Sequence, residues 1–355
     1  MTDGCTTASA ETYLVSDDGT TNPGPPLSAA RDSHTANVLS DGRVVFVGGY
    51  PGEGAGVLDS IDIVDPTGTK PVTSLRLANG RGGHASARIG SSRVVVVGGW
   101  VAPRTYTPSV EIIDGSALTV TRGTHLPWAA DARDAVALGN GRVLVTGGQI
   151  QPEVATARAA LYDSETDSWA ELPAMATPRY KHFSVLLPDG RVWVMGGDEG
   201  HQTITPTTEI FDPETNTFSA GPNLSEPRYK FSGGALVLRD GRVIIAGGGT
   251  TTEVLDIDAR KSTIIGTPGR VRSFATLNQL GNGNLLIVAA TTTTSSSGDH
   301  PRSSSARNYP TVNSSRNRSI EPSTKPHTQI VTNRVEHHRP PLAACGEIAR
   351  EIPNA

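Results

Sequence analysis

Short apolar runs that end in a pair of glycines recur along the chain at a nearly constant spacing. The first glycines of the pairs are 50, 49, 49 and 51 residues apart, at Gly48, Gly98, Gly147, Gly196 and Gly247. The runs before them, such as RVVFV and RVWVM, are unbroken rather than alternating, which is typical of strands covered on both faces. A period of this length indicates small units that must stack on their neighbours to bury their apolar faces.

Polar residues divide each unit in the same order. A turn dipeptide precedes most of the apolar runs, as at Asp41-Gly42, Asn140-Gly141, Asp189-Gly190 and Asp240-Gly241, with Ser91-Ser92 in the second unit. Asp-Gly and Asn-Gly favour a two-residue type I′ hairpin, so we expect that turn between the first two strands. A third strand ends in an acidic turn, and the aromatic residue after it begins a short fourth strand. Four antiparallel strands per unit is the pattern of a propeller blade.

At these residues the chain resembles the kelch repeat family, in the form common in bacterial proteins. That form reads R-x-x-H-x-A, a D-G-R-V hairpin, a G-G pair and Y-D-P-x-T-x-T-W. The unit PRYKHFSVLLPDGRVWVMGG, which starts at Pro178, matches it almost throughout, as does EIFDPETNTF from Glu209. The resemblance spans residues 11–292 and implies an all-β, kelch-type β-propeller; it is specific for the fold and not for an activity.

A degraded sixth unit suggests how the ring closes. LNQL and NLLIVAA supply its first two strands, with Ala289-Ala290 where the glycines should be. Its missing outer strands are found at the N-terminus, because Tyr13–Arg31 aligns without gaps with Ile210–Arg228. The sequence therefore predicts a six-bladed ring closed by pairing of this N-terminal half-blade with the last unit.

Composition predicts three segments: a flexible N-terminus at residues 1–10, the propeller at 11–292, and a low-complexity tail at 293–355. The tail is rich in Ser, Pro, Asn, Arg and His and is expected to be disordered. A shift of the coding frame near Ser297 is an alternative origin for it.

The net charge of −4 gives no support for a nucleic-acid partner, and no apolar stretch reaches membrane-spanning length. No signal peptide is visible, so we expect a cytoplasmic location. We also expect a monomer. The two cysteines, Cys5 and Cys345, lie outside the repeats and form no internal disulfide framework, and a single disulfide between the chain ends is the alternative to two free thiols.

The start of each inner strand is the first candidate site. A ring of cations there would favour an anionic ligand, such as a carboxylate, phosphate or acidic peptide. The alternative is that these residues belong to the repeat and stabilise each blade. Three of the histidines could in principle bind a metal, but they are not placed symmetrically and have no carboxylate at a fixed spacing, so we expect neither a metal nor a cofactor. The candidates are Arg31, His34, Arg81, His84, Arg133, Arg179, His182 and Arg228, with Lys230, Arg270 and Arg272 in the same register.

The loops after the glycine pairs are the second candidate site, because they differ between units. Tyr50, Trp100 and Arg104 are residue types that dominate protein contacts, although the two aromatic rings could simply cover the blade. Asp198, Glu199 and His201 form a clustered acid/base set, for which a solvated loop is the alternative.

Together these features favour a scaffold that binds an unidentified protein or an anionic small molecule through its loop face and cationic channel mouth. The alternative is an enzyme acting on an anionic small molecule such as a sugar acid, as in the mutarotases that the chain resembles. That alternative requires the repeat arginines to point into the channel. Copper radical oxidases share the blade motif but cross-link a cysteine to a tyrosine in the propeller, and this chain has no cysteine between positions 5 and 345.

Overall fold

The computed structural model describes residues 8–52, 55–238, 240–267, 271, 273–280, 282, 285–288, 308–309 and 329–332. Within these residues the chain forms strands, turns and bends and no helix, which confirms the all-β class. The described segments accordingly include no helix long and apolar enough to cross a membrane.

Short strands organised in sheets of four make up most of this structure. In chain order they are β1 (Thr12–Val15), β2 (Thr21–Pro23), β3 (Thr35–Val38), β4 (Val44–Val47), β5 (Ser60–Val64), β6 (Thr73–Arg76), β7 (Ala85–Ile89), β8 (Arg93–Val97), β9 (Trp100–Ala102), β10 (Thr105–Tyr106), β11 (Val110–Asp114), β12 (Thr119–Gly123), β13 (Asp134–Ala137), β14 (Arg142–Thr146), β15 (Gln149–Gln151), β16 (Val154–Ala155), β17 (Ala159–Asp163), β18 (Ser168–Glu171), β19 (Phe183–Leu186), β20 (Val192–Met195), β21 (Thr208–Asp212), β22 (Thr217–Ala220), β23 (Ala235–Val237), β24 (Val243–Ile245), β25 (Thr252–Asp256), β26 (Lys261–Gly266), β27 (Thr276–Gln279), β28 (Leu285–Val288), β29 (Asn308–Tyr309) and β30 (Gln329–Thr332).

Five four-stranded antiparallel sheets follow one another along the chain. We number them 1 to 5: β3-β4-β5-β6, β7-β8-β11-β12, β13-β14-β17-β18, β19-β20-β21-β22 and β23-β24-β25-β26. The first strand of each sheet contacts the first strand of the next, and the series continues to β27. We call these the inner strands. The hairpins β9-β10 and β15-β16 are additional to sheets 2 and 3.

The hairpin between the first two strands of a sheet differs from the expected type. In sheet 1, Leu39 N–H donates to the Arg43 carbonyl at 2.8 Å and Gly42 N–H to the Leu39 carbonyl at 3.0 Å. Three residues therefore form the connection, and of these only Gly42 has a positive φ, of 88°. A type I′ turn needs two such residues, so that prediction was wrong: the glycine takes the left-handed position of a G1 bulge. Asp41 still contributes, because its carboxylate accepts hydrogen bonds from Arg43 N–H at 3.1 Å and Nε at 2.7 Å.

The second strand of each sheet is covered on both faces, as its unbroken apolar run predicts. In β8, Val94 and Val96 pack against sheet 1, whereas Val95 and Val97 pack against sheet 3. Equivalent apolar clusters join sheets 3 and 4, sheets 4 and 5, and sheet 5 and the last unit. The core is thus a series of interfaces between stacked sheets, which accounts for the low aromatic content of 5%.

The N-terminal segment lies between the last unit and sheet 1. Val15 packs with Leu280 and Leu286, while Leu27 packs with Phe46 of sheet 1. In the described residues β1 does not pair with β28, because its two edges are taken by β2 and β30, and β28 pairs with β27 and β29. The N-terminal segment and the last unit therefore meet through side chains, with tail strands at the sheet edges where direct pairing was expected.

Several sequence-based expectations fall outside the described residues. Strands β29 and β30 belong to the segment expected to be disordered, and for the rest of the tail that disorder stays a prediction. Residues 1–7, both cysteines, Arg270, Arg272 and Ala289-Ala290 also lie outside the described part.

Candidate functional site

One end of the stacked sheets is bordered by six residues in the left-handed backbone region. Each lies two positions after the first residue of the R-x-x-H motif or its equivalent, and their φ angles run from 47° to 59°. From the second onward, each donates its N–H to the carbonyl of its counterpart in the preceding sheet, at 3.1, 2.8, 2.8, 3.1 and 2.5 Å. These bonds help to offset the cost of about 1–2 kcal/mol that the left-handed conformation carries for a non-glycine residue. We call these residues the rim: Ser33, Gly83, Ala132, Lys181, Lys230 and Phe274.

The repeat arginines lie beneath the rim in buried ion pairs. Their side chains are fully buried, and each pairs with a carboxylate from the third strand of its own sheet. The pairs and their N–O distances are Arg31–Asp62 at 2.7 Å, Arg81–Glu111 at 2.5 Å, Arg179–Glu209 at 3.0 Å and Arg228–Glu253 at 3.0 Å.

The remaining contacts of these arginines are also internal, as sheet 2 illustrates. Arg81 Nη1 donates to the carbonyls of Gly98 and Ser109 at 3.1 and 3.0 Å, and Nη2 donates to Ser109 Oγ at 3.0 Å. Glu111 accepts a further bond from Ala78 N–H at 2.7 Å, which fixes the segment before the inner strand. Burial lowers the pKa of Arg81, and the Glu111 charge opposes that shift. This geometry favours the architectural interpretation and does not provide the channel-facing arginines that a mutarotase-type site requires.

Sheet 3 lacks both members of this ion pair. Ala130 and Ala160 stand where the other four sheets carry the arginine and the carboxylate, and both are fully buried in an apolar cluster. Arg133 occupies the histidine position instead, and its Nη2 donates to the Ala130 carbonyl. Its Nε and Nη1 are buried without a hydrogen-bond partner, and this burial lowers the pKa of Arg133 to about 9. Its guanidinium lies against Gly98 of sheet 2, inside the interface between sheets.

Close contacts explain the glycines at the first position of the pairs at Gly48, Gly98, Gly147 and Gly196, and a strand-start side chain is part of each contact. A Cβ on Gly147, where φ is 60°, would collide with the Arg179 carbonyl oxygen and would stand 2.8 Å from His182 Cε1. His182 Nε2 hydrogen-bonds Thr146 Oγ1 at 2.8 Å. Desolvation lowers the pKa of His84 and His182 to about 3 and that of His34 to about 4, so all three are neutral at pH 7. Within the described residues, no group of three or more His, Cys, Asp or Glu side chains is arranged to hold a metal.

The loops after the glycine pairs are joined to the segments that lead into the inner strands. Backbone bridges join the residue after the glycine pair to the start of the inner strand, at Tyr50–Asp32, Trp100–Gly82, Gln149–Asp131 and Asp198–Tyr180. Tyr50 and Trp100 are neighbours, with ring centroids 5.8 Å apart, and both are partly exposed. We call this pair the aromatic patch. Arg104 is exposed at the tip of the β9-β10 hairpin.

The acid/base set on the sheet 4 loop does not converge. Asp198 is buried, and its carboxylate accepts hydrogen bonds from the Tyr180 hydroxyl at 3.0 Å and from a loop N–H at 2.8 Å. His201 is exposed, and its Nδ1 lies 3.9 Å from a carboxylate oxygen of Glu153. Glu199 contributes its backbone N–H to the same loop, at 2.8 Å from a carbonyl. The arrangement shapes the loop and assembles no acid/base pair.

Two of the described rim residues are lysines: Lys181 is partly exposed, and Lys230 is only 7% exposed. Lys181 Nζ lies 5.5 Å from the centroid of the Tyr180 ring, and Lys230 Nζ lies 5.2 and 5.6 Å from those of Tyr229 and Phe274. Sequence reasoning missed Lys181 and treated Lys230 as one of many strand-start cations. The signal that could have found them is the tripeptide Arg-Tyr-Lys, which occurs at 179–181 and again at 228–230.

Asp131 is a titratable carboxyl that directly precedes the rim residue Ala132 in the chain. Burial raises the pKa of Asp131 to about 6, and the positive charges of Lys181 and Arg133 oppose the rise. In the orientation that satisfies both ends of its amide, Gln149 donates to Asp131 Oδ1 at 3.3 Å. This side of the rim thus holds an ammonium group, a carboxyl group and an amide close together.

Comparison with known proteins supports the repeat and the fold. The kelch motif matches residues 179–225. The solved structure of YjhT is similar with a TM-score of 0.58 and 14% sequence identity, over 72% of this chain and 91% of YjhT. A fungal alcohol oxidase of the AA5 family, solved in complex with copper, gives a TM-score of 0.62 and 17% identity, over 79% of this chain and 64% of the oxidase. No curated protein was found to match by sequence. At these identities the similarity to solved structures shows the fold alone.

Proposed function

We propose that this chain, a kelch-repeat protein with a propeller fold, is a binding scaffold whose contact surface is the rim and the loops around it. The features shared by most sheets are buried. They are the arginine–carboxylate pairs, the second strands, and the side chains at the start of the inner strands that pack against the glycine pairs. Many of the features that differ from sheet to sheet, such as the aromatic patch, Arg104 and Phe274, are exposed or partly exposed at the rim and its loops. This separation carries the proposal, because specificity on a rigid scaffold resides in its variable surface positions.

The residue types around the rim suit contact with a partner. The aromatic patch supplies two large rings that bury area at a small cost in side-chain entropy, and tryptophan, tyrosine and arginine dominate the energetics of protein contacts. Arg104 and the β15-β16 hairpin extend the same surface over sheets 2 and 3. A protein or an anionic molecule remains the proposed partner.

No observation favours the alternative of an enzyme acting on a sugar acid. The four arginines that it requires are held in ion pairs inside their sheets. An enzyme would therefore have to bind its substrate with other residues.

We also propose that six units form a closed ring with the N-terminal segment as part of the sixth. Backbone hydrogen bonds join the six rim residues in a ladder, which supports the count of six units. The contacts of Val15 with the last unit and of Leu27 with sheet 1 support closure through this segment. That the protein is a cytoplasmic monomer stays a prediction.

Affinity capture with matched variants tests the scaffold proposal. We expect wild-type protein to retain a specific partner from a lysate of its source, and Trp100→Ala to weaken that interaction at least about tenfold. Ile264→Ala is the control, because Ile264 is a 52% exposed apolar residue on the outer strand β26. Equal retention by the Trp100 variant and wild type, at unchanged melting temperature, would place the contact surface elsewhere and contradict the proposal.

A further inference from the structure

We infer that the aromatic patch and Tyr106 form a groove for a proline-rich segment of a partner protein, with an acidic residue of that segment beside Arg104. The inference rests on the proposed scaffold function and deepens it, because it names the chemistry of the partner. The segment lies over sheets 1 and 2 in the extended polyproline II conformation.

Three aromatic side chains come together at the loops of sheets 1 and 2. Tyr50 and Trp100 follow the glycine pairs of successive sheets, and their ring centroids are 5.8 Å apart. Tyr106 is directly opposite Trp100 in the β9-β10 hairpin, so the two side chains leave the same face of that hairpin. All three residues are partly exposed. We call this set the aromatic row.

Two glycines fix the position of the indole ring in this row. Gly82 and Gly83 stand where sheet 4 has Tyr180 and Lys181, so sheet 2 has no side chains at these two positions. A Cβ on Gly82 would be 3.0 Å from Cε2 and Cζ2 of Trp100, and one on Gly83 would be 3.1 Å from Cδ1. The ring therefore lies against the backbone of this segment. A site whose rings are already in place loses little entropy when it binds a ligand.

The angle between the rings favours a groove over a flat platform. The planes of Tyr50 and Trp100 are inclined at 57° to each other, so the two rings are neither stacked nor coplanar and enclose a wedge. A polyproline II helix has about three residues per turn, and its pyrrolidine rings form ridges along it. Proline-rich segments dock by placing such ridges in grooves lined with aromatic rings. The aromatic row thus has the shape that such a segment needs.

Hydrogen-bond donors in the row suit the same ligand. Neither the Trp100 indole N–H nor the Tyr106 hydroxyl donates a hydrogen bond to another described residue. A polyproline II segment has no internal backbone hydrogen bonds, so its carbonyl groups are available as acceptors. Proline also lacks an N–H, so the segment needs few acceptors from the protein. The donors of the row therefore match the acceptors of the ligand.

The charges beside the row favour an acidic residue in the segment. Arg104 is exposed at the hairpin tip and forms no ion pair with any described residue. Burial and the charge of Asp131 raise the pKa of Tyr106, and the charge of Arg104 opposes them, so Arg104 lies close to this end of the row. The charge of Asp131 is itself opposed by those of Lys181 and Arg133. Arg104 thus presents a positive charge that a carboxylate on the ligand can match.

Fluorescence anisotropy with a labelled hexaproline peptide that ends in glutamate tests the inference on the full chain. We expect saturable binding that weakens at least about tenfold in Trp100→Ala and about fivefold in Tyr106→Ala. Trp169→Ala is the matched control and should bind like wild type, because Trp169 is a partly exposed tryptophan on the outer strand β18. Gly82→Ala keeps every ring of the row but displaces the indole, so it should weaken binding as well.

A second peptide tests the role of Arg104. Hexaproline that ends in lysine should bind the wild type about fivefold more weakly than the glutamate peptide at low salt. Arg104→Gln should bind the two peptides equally. Arg122→Gln is the matched control and should keep the wild-type preference, because Arg122 is an exposed arginine on the outer strand β12.

Four results would overturn the inference. One is absence of binding of the glutamate peptide by the wild type. Another is equal affinity for a peptide in which alternating glycine and serine replace the prolines, because that chain is flexible and has no pyrrolidine rings. The others are equal weakening by Trp100→Ala and Trp169→Ala, and a charge preference that Arg104→Gln retains. Each concerns the synthetic peptides alone, so the capture experiment with Trp100→Ala remains a separate test of the scaffold function.

Discussion

A carboxylate on the third strand determines what the repeat arginine does. Where Asp62, Glu111, Glu209 or Glu253 is present, the arginine is drawn into the sheet and neutralised there. Where the third strand has Ala160, the arginine is absent too. Arginine and carboxylate are thus retained or lost together. This agrees with the high cost of one unpaired buried charge and the modest net value of a complete buried pair.

A double-mutant cycle on Arg81 and Glu111 tests this coupling. Arg81→Met and Glu111→Ala should each lower the free energy of unfolding by about 3–5 kcal/mol, because each leaves the other charge buried and alone. The double variant should be less destabilised than the sum of the two by about 2 kcal/mol. Urea unfolding followed by circular dichroism measures all four proteins. Strict additivity would mean that the two residues stabilise the sheet independently.

At the scale of the element, each inner strand begins with a side chain matched to the sheet before it. His182 lies over Gly147 and hydrogen-bonds Thr146, whereas the next sheet carries Phe231 at the same position. Phe231 lies over Gly196 of sheet 4 and packs in a cluster with Met195, which is the counterpart of Thr146. A hydrogen-bonding ring thus accompanies a hydroxyl, and an apolar ring accompanies an apolar neighbour.

Replacing the His182–Thr146 contact by a Phe–Met contact should make the stability of the fold less sensitive to acid. The pKa of His182 is about 3 in the folded protein, against about 6.5 in an unfolded chain. Below pH 6.5 the unfolded state takes up a proton that the folded state does not, so stability falls as pH drops toward 3. The variant Thr146→Met/His182→Phe copies the interface of sheets 4 and 5 and should lose about 1.4 kcal/mol less per pH unit in this range.

Urea titrations between pH 6.5 and pH 5 measure that slope. Val38→Ala provides the control, because it alters a 61% exposed residue, removes no titratable group and should keep the wild-type dependence on pH. If the double variant and wild type lose stability in parallel, His182 does not contribute to acid unfolding.

At the scale of the molecule, the N-terminal segment links the two ends of the series of sheets. It packs on the last unit through Val15 and on sheet 1 through Leu27. If the ring is closed through this segment, weakening the contacts of Val15 or Leu27 lowers the stability of every sheet. If it is open, only the last unit loosens.

Val15→Ala distinguishes these cases. Val15 is 2% exposed, so its truncation should lower the free energy of unfolding by about 2 kcal/mol in a single cooperative transition. Hydrogen exchange should then rise in the distant strand β14 as well as in β27 and β28. Val38→Ala, at a 61% exposed position, should change the free energy by less than about 0.5 kcal/mol. Faster exchange confined to the last unit would argue against a closed ring.

The fold was predictable because periodic apolar runs and glycine pairs are local signals repeated five times. The candidate site was less predictable, because it depends on which way a side chain turns. Arg81 and Lys181 are both cations near a strand start, yet one is drawn inward by Glu111 and the other lies at the rim. The expectation that β1 pairs directly with the last unit did not include the tail strands, of which β30 pairs with β1 and β29 with β28. These two short segments could not be recognised as strands because they carry no hairpin pattern.

The backbone ladder at the rim bears on how such a molecule can gain or lose units over evolutionary time. Each rung joins one main-chain N–H to one main-chain carbonyl, and residues as different as Gly83 and Phe274 both donate. A duplicated stretch of about 49 residues could therefore add a rung without redesign of its neighbours. Ser33 donates its N–H to the carboxylate of its neighbour Asp32 at 2.5 Å and not to another rim carbonyl. In the described residues the ladder therefore begins at Ser33.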